Sequence, residues 1–210
     1  MHWECNWECI LNWNFIDLSK AFDTINHNII FIKMEHYGVR DVTLQLFKSH
    51  LYNRSQYVVY KGLQSAELGI KCGVTQGSIV GSIWFLIYIN DITNVSRLLQ
   101  LLLFAEDTNI FLEQMDIEAL VATVYSALVK LADWFSANRL TLNVSQTNFI
   151  ISCSSKRKYN PNLINISLNR HQITQIKHTK FLGVYIDERL NWKEHVKQLS
   201  TKLSKNIGMY

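Results

Sequence analysis

The sequence predicts an α+β domain in which an antiparallel sheet is backed by helices. Two observations carry that expectation. Apolar runs of strand length, such as Phe15-Ile16 and Leu101-Leu102-Leu103-Phe104, are mixed irregularly with longer segments of helical period. Turn residues join several neighbouring strands directly, as in hairpins, which argues against a doubly wound parallel sheet. With 210 residues, 48% hydrophobic and 18% charged, the chain suits one globular domain with a real core.

The elements follow in order. After the strand that ends at Asp17, DTINHNIIFIKMEHYGV reads as a helix over 24–37. Asp23 can cap it, Ile25, Ile29, Ile32 and Met34 form its apolar side, and Gly38 stops it. Asp41 caps a second helix, DVTLQLFKSHL, with Leu44, Phe47 and Leu51 at core spacing. The β-branched and aromatic run QYVVY at 56–60 reads as a strand turning at Lys61-Gly62. GVTQGSIVGSIWFLIYINDI at 73–92 is a glycine-rich loop leading into an apolar helix, and a strand–turn–strand follows around Glu106-Asp107. The stripe Leu120, Val124, Leu128, Leu131 and Phe135 predicts an amphipathic helix over 118–140. FIISCS at 149–154 reads as a strand, and the polar run 154–163, with the only proline, Pro161, as a loop. INISL, ITQIKH and FLGVYID read as short strands, and a basic helix closes the chain.

Bulk properties narrow the function. A net charge of +4 and a pI near 8.8 permit a nucleic-acid partner without requiring one. Cys5 and Cys9 stand four apart, but no His/Cys pair at finger spacing completes a zinc site, so the four cysteines read as free thiols. No apolar stretch reaches the ~18 residues that span a bilayer. The N-terminus has two Glu and no basic region of the signal-peptide kind, so an intracellular protein, nuclear or cytoplasmic and without a membrane partner, is expected.

Two segments carry chemistry. FIDLSKAFD at 15–23 and LLLFAEDTNIFL at 101–112 each end an apolar run in acids, a costly arrangement unless the carboxylates hold a cation. Taken singly, Asp17 could be a cap or turn residue and Glu106-Asp107 a hairpin turn. With the two strands side by side, Asp17, Glu106 and Asp107 would converge at one sheet edge. Such a set can hold a pair of Mg²⁺ ions for nucleotidyl transfer.

Five segments then resemble one family in its own motif order. They are FIDLSKAFDTINH, GVTQGSIVGSIWFLIYIND, FAEDT, ADWFSANRLTLNVSQT and KFLGVYIDERLNWKEHV. Together they are similar to the reverse transcriptase domain of non-LTR retrotransposons of the jockey-like, LINE-type kind.

That resemblance implies a polymerase palm with partial fingers and a primer-grip hairpin. The implied division is 1–14 as a divergent segment, 15–190 as the reverse transcriptase domain and 191–210 as a basic helix starting a truncated thumb. The implied activity is RNA-directed DNA synthesis from dNTPs on an RNA template and a DNA primer, with two Mg²⁺, or Mn²⁺ as substitute. Asp17, Glu106 and Asp107 would be the catalytic and metal-binding residues. Phe22 would lie beneath the sugar, and a core Phe is the plain alternative. Gln76, Gly77 and Ser78 would lie under the nucleotide and template, where the alternative is an ordinary loop that caps the next helix. Arg54, paired with Gln56, would stand on the template side. Phe181, Leu182 and Gly183 would grip the primer, a simple hairpin being the other reading. Lys193, Lys197, Lys202 and Lys205 could touch phosphates or be a solvated helix face.

The chain also departs from the pattern. Glu106 stands where the family has Asp, Gln146 where it has a Lys able to protonate pyrophosphate, and Thr75 and Ser82 where it has prolines. These changes, with the short ends, imply a truncated or decayed copy of impaired activity. The competing expectation is an inactive palm that binds nucleic acid or protein.

Overall fold

The computed structural model describes residues 10–75, 77–96, 99–105, 107–153, 160, 164–168 and 171–208. At its centre is β1 (Ile10–Ile16), which alternates between buried and half-buried residues throughout. The two-residue period puts Ile10, Asn12, Asn14 and Ile16 on one face and Leu11, Trp13 and Phe15 on the other.

After β1 come β2 (Leu18–Ser19), α1 (His27–His36) and α2 (Asp41–Leu51). An arm of four short strands follows, β3 (Ser55–Gln56), β4 (Val59–Tyr60), β5 (Leu63–Gln64) and β6 (Leu68–Gly69). Next, α3 (Ile79–Ile89) runs into a 3-10 turn at Asn90–Asn94. The hairpin of β7 (Gln100–Phe104) and β8 (Asp107–Gln114) leads to the long α4 (Ile117–Ala137). The remaining strands are β9 (Thr141–Leu142), β10 (Asn148–Ser152), β11 (Ser167–Leu168), β12 (His171–Gln172), β13 (Thr174–Gln175), β14 (His178–Phe181) and β15 (Val184–Asp187), before α5 (Lys193–Ile207).

The main sheet has the order β13-β10-β1-β8-β7. All its pairings are antiparallel except β10 with β13. One face is covered by α4, whose Leu120, Val124, Leu128, Leu131 and Phe135 are buried with Ile16, Ile110, Leu112, Phe149 and Ile151. Each such side chain contributes roughly 1.5–3 kcal/mol, which outweighs any propensity term. Asp116 caps α4 by accepting from the Ala119 N–H at 2.9 Å. By length and composition α4 is also apolar enough to cross a membrane, against the expectation of no such stretch. Its buried stripe is that of a core helix.

Behind α4, α1 packs on α3 through Ile30, Phe31 and Met34 against Trp84, Phe85 and Tyr88. Lys33 ties these layers together. Its ammonium donates to Asp91 Oδ1 at 2.6 Å and to the Tyr88 carbonyl at 2.5 Å. It also lies 5.0 Å from the Tyr88 ring centre and 4.8 Å from that of Trp134. Burial pushes this ammonium below the ordinary lysine range, with Asp91 opposing the shift.

Several sequence expectations are corrected here. The cap of α1 is Asn26, whose side chain accepts from the N–H groups of Asn28 and Ile29, and not Asp23, which lies in the preceding turn. Ile32 is 67% exposed, because α1 buries His27, Ile30, Phe31 and Met34 instead. Arg40 is the N-cap of α2 and gives no side-chain bond, while Asp41 falls inside the first turn. The single strand expected at 56–60 is split between β3 and β4, each paired within an exposed arm. ITQIKH yields only β13 and the start of β14, and FLGVYID folds back on itself between β14 and β15. Cys5, Cys9 and Pro161 lie outside the described residues.

Candidate active site

The register of β1 on β8 ends one residue short of two acids. Ile16 pairs with Thr108, so the next positions along the ladder are Asp17 on one side and Asp107 on the other. By the two-residue alternation Asp107 shares the face of Phe111, away from α4, while Asp17 directly follows the last residue of β1. Asp107 opens β8 opposite Phe104, across the tight turn that contains Ala105 at φ 49°.

Asp17 is half-buried and firmly held. Its carbonyl oxygen accepts from the Asn143 N–H at 2.9 Å, and its Oδ2 accepts from the Asn143 side-chain amide at 2.8 Å. The same amide nitrogen donates to Gln146 Oε1 at 2.6 Å, and Thr147 Oγ1 donates back to the Asn143 carbonyl. Among the described residues no side-chain cation pairs with Asp17.

A cavity of about 530 Å³ opens beside this carboxylate, lined by Asp17, Phe22, Gly77, Ser78, Asn143 and Gln146 among others. Ser78 is the N-cap of α3. Its hydroxyl accepts from the Gly81 N–H at 2.9 Å and donates to the Thr75 carbonyl at 2.9 Å. The loop closes so tightly here that a Cβ on Gly81 would stand 2.4 Å from the Thr75 carbonyl oxygen. Gly73 is constrained in a similar way. It adopts φ +86° with the Asp23 carbonyl where a side chain would go, and its N–H bonds Ile25.

The sequence-derived residues thus fall into three groups. Asp17, Phe22, Gly77 and Ser78 line one cavity, and Asp107 opens the neighbouring strand β8. Phe22 does two things, since its half-buried ring also packs on Phe85 of α3 with centroids 5.0 Å apart. Phe181 reaches the same sheet face, its ring 5.9 Å from Phe15 and 6.0 Å from Phe111. Leu182 and Gly183, both at positive φ, form the β14–β15 turn. Arg54 is elsewhere: it lines a second cavity at the root of the arm, and Gln56 is exposed on β3. Gln76 and Glu106 lie outside the described residues. Among the described residues no cluster of three His, Cys, Asp or Glu side chains could hold a metal. Sequence reasoning gave no role to Asn143, although it lies within the quoted ADWFSANRLTLNVSQT segment.

Known proteins share the sequence pattern and the fold. The profile of the family described as Reverse transcriptase (RNA-dependent DNA polymerase) matches residues 12–186, and the chain belongs to that family. It is 23% identical over 200 residues to the probable RNA-directed DNA polymerase from transposon X-element of Drosophila melanogaster, covering 93% of this chain and 22% of that protein. It is also 23% identical over 195 residues to the RNA-directed DNA polymerase from mobile element jockey of the same fly, covering 87% of this chain and 20% of that one. The chain spans about a fifth of the length of these non-LTR retrotransposon relatives. Among solved structures, apo telomerase from Candida Tropicalis, truncated from its C-terminal domain, is similar with a TM-score of 0.58 at 13% identity, over 85% of this chain and 34% of that one. Telomerase from Candida albicans in complex with a fragment of telomeric RNA gives 0.57 at 12%, over 84% and 29%. At such identity the likeness shows the fold, a palm-type α+β architecture.

Proposed function

We propose that this member of the reverse transcriptase family is the palm of an RNA-directed DNA polymerase, adding dNTPs to a primer 3′-hydroxyl on an RNA template. The observation that carries the reading is the placement of Asp17, one residue past the Ile16–Thr108 pair, in the wall of the cavity that holds Phe22 and the Gly77-Ser78 loop, with Asp107 opening the neighbouring strand. In the reaction the primer oxygen bonds the α-phosphorus, the bond to pyrophosphate breaks, and the hydroxyl proton leaves.

The donor set fits a hard divalent cation. Asp17 presents carboxylate oxygen with one amide neighbour and no paired cation among the described residues, and Asp107 is an exposed carboxylate at the start of β8. Asp17, Asp107 and Glu106 would hold Mg²⁺, with Mn²⁺ as substitute. Bound there, the ions would supply charge neutralisation on the transferred phosphoryl group. Asn143 orients the Asp17 carboxylate. The Phe22 ring forms a floor against which a 2′-hydroxyl would clash, favouring dNTPs. Gly77 and Ser78 lie under the nucleotide and template base, Gln76 would join them, Arg54 serves the template side, and the Phe181–Leu182–Gly183 turn positions the primer. Gln146 cannot act as an acid toward pyrophosphate, so turnover is slow.

Primer extension on poly-rA/oligo-dT, with Mg²⁺ and with Mn²⁺, tests the reading. Weak extension that disappears in Asp17→Asn and in Asp107→Asn is the expected result. Extension that survives both changes overturns the site. RNA binding without extension in either metal would leave an inactive, nucleic-acid-binding palm.

A further inference from the structure

The second cavity has its own chemistry. It measures about 370 Å³ and shares no lining residue with the first. Its wall is made by the start of α1, the segment after α2 and the returning strand of the arm. It contains Arg54 and Lys71 and no carboxylate. The ion pairs among the described residues are Lys33–Asp91 and Lys48–Glu35, so neither cation of this cavity is neutralised. The neutral groups here also offer donors. Asn28 Oδ1 accepts from the Tyr52 hydroxyl at 3.2 Å, which leaves the Asn28 amide N–H₂ for another partner. His27, 4% exposed, bonds the Gly73 carbonyl through Nε2 at 2.8 Å. A carbonyl only accepts, so Nε2 carries the hydrogen and the ring is fixed in place.

The backbone also links this cavity to the first. Lys71 lines one and Thr75 the other, four residues apart, so their Cα atoms lie within about 14 Å. Between them, the Cys72 bridge to Asn26 and the Gly73 and Val74 N–H bonds to Ile25 and Phe22 hold the segment against the chain that follows Asp17. A nucleic-acid strand stacked at ~3.4 Å per nucleotide covers that distance in about four nucleotides.

We infer that this cavity is a phosphodiester site for single-stranded RNA, in which Arg54 and Lys71 each hold a backbone phosphate of the template a few nucleotides from the Asp17 cavity. The inference rests on the proposed RNA template and adds where, and by which cations, its backbone is held. Phosphate contacts of this kind position a strand without reading its sequence, so binding here is independent of base identity.

The test is binding of a labelled single-stranded dodecauridylate, followed by fluorescence anisotropy across a salt series. Two phosphate contacts on a single strand predict that Arg54→Gln with Lys71→Gln lowers the slope of log affinity against log salt by about 1.4. Affinity at low salt should fall on the order of tenfold. Lys71→Gln alone, a change at an exposed side chain, should lower the slope by about 0.7 and keeps the test open if the double variant unfolds. An unchanged slope in both variants, or no RNA binding by the parent chain, overturns the inference. Because the readout is binding, a failure of primer extension alone would count against the polymerase reading and leave this site standing.

Discussion

Asn143 holds Asp17 at two points, its backbone N–H on the Asp17 carbonyl at 2.9 Å and its side-chain amide on the carboxylate at 2.8 Å. The first bond fixes where the chain leaves β1, and the second fixes how the carboxylate is turned. Both come from one residue in the loop between β9 and β10, so the acid is positioned by a segment more than a hundred residues away in sequence.

Asn143→Ala keeps the backbone bond and removes the other. Stability should fall by about 1 kcal/mol, while the extension rate falls 10- to 100-fold because the carboxylate is free to rotate. Single-turnover extension beside a denaturant midpoint separates the two effects. A rate unchanged within twofold would show that Asp17 needs no such support.

Restoring the family pattern with Glu106→Asp and Gln146→Lys should raise the extension rate by on the order of 10²-fold. Gln146 already lines the cavity and bonds the amide that orients Asp17, so a lysine there has room beside the site. No gain in a folded double variant would place the defect outside these two side chains.

Gly81→Ala would put a methyl group 2.4 Å from a backbone oxygen, so the Thr75–Ser78 turn has to move. The cost should be about 1–3 kcal/mol, a drop of roughly 2–4 °C in melting temperature for each kcal/mol in a chain of this size. Thermal unfolding reads it directly. An unchanged melting temperature would mean that the loop yields freely.

Lys33 sets an alkaline signature. Its folded-state pKa is lowered by burial, so between that value and 10.5 the unfolded chain binds more protons and stability rises with pH. Tyr88 acts in the opposite sense. Burial raises it above 10.0, the folded chain keeps its proton longer, and stability falls as pH passes 10. In Lys33→Met the rise should vanish and the fall remain, as followed by urea midpoints from about pH 8 to 11. The same change should cost about 1–2 kcal/mol at neutral pH, since Asp91 loses its partner. A rise that persists in the variant would assign it to another group.

What the sequence made legible were the features with strong periodicity. The buried stripe of α4 contains every residue its spacing predicts, and the strand ending at Asp17 does join the sheet of the 101–112 hairpin, though beside β8 and not beside the 101–104 run. The misses have physical causes. Asn12 and Asn14 are buried in β1, Asn14 Nδ2 donating to Asn12 Oδ1, so polar letters disguised five strand residues before Phe15. Ile32 reads as core by type, yet the face of α1 is chosen by α3, which local spacing cannot reveal. The arm pairs only with itself, so its apolar residues stay exposed and carried no sign of where they would fold back. The motif resemblance implies a template-side role for Arg54, but that it lines a cavity separate from Asp17 follows from the arm's return strand.

The centre of the main sheet is its earliest strand in the chain, and that has a consequence for biosynthesis. β1 cannot be flanked until β8 and β10 exist, and its partners lie roughly 90 and 140 residues further on. At ~5–20 residues per second a ribosome takes several seconds or more to make them. Through that interval a nascent strand rich in Trp, Phe and Ile waits with both edges open, a target for holdase chaperones and for pairing with a neighbouring nascent chain. Slow codons placed before β8 would lengthen the exposure, and a synonymous change there could alter the yield of soluble protein without altering a single residue.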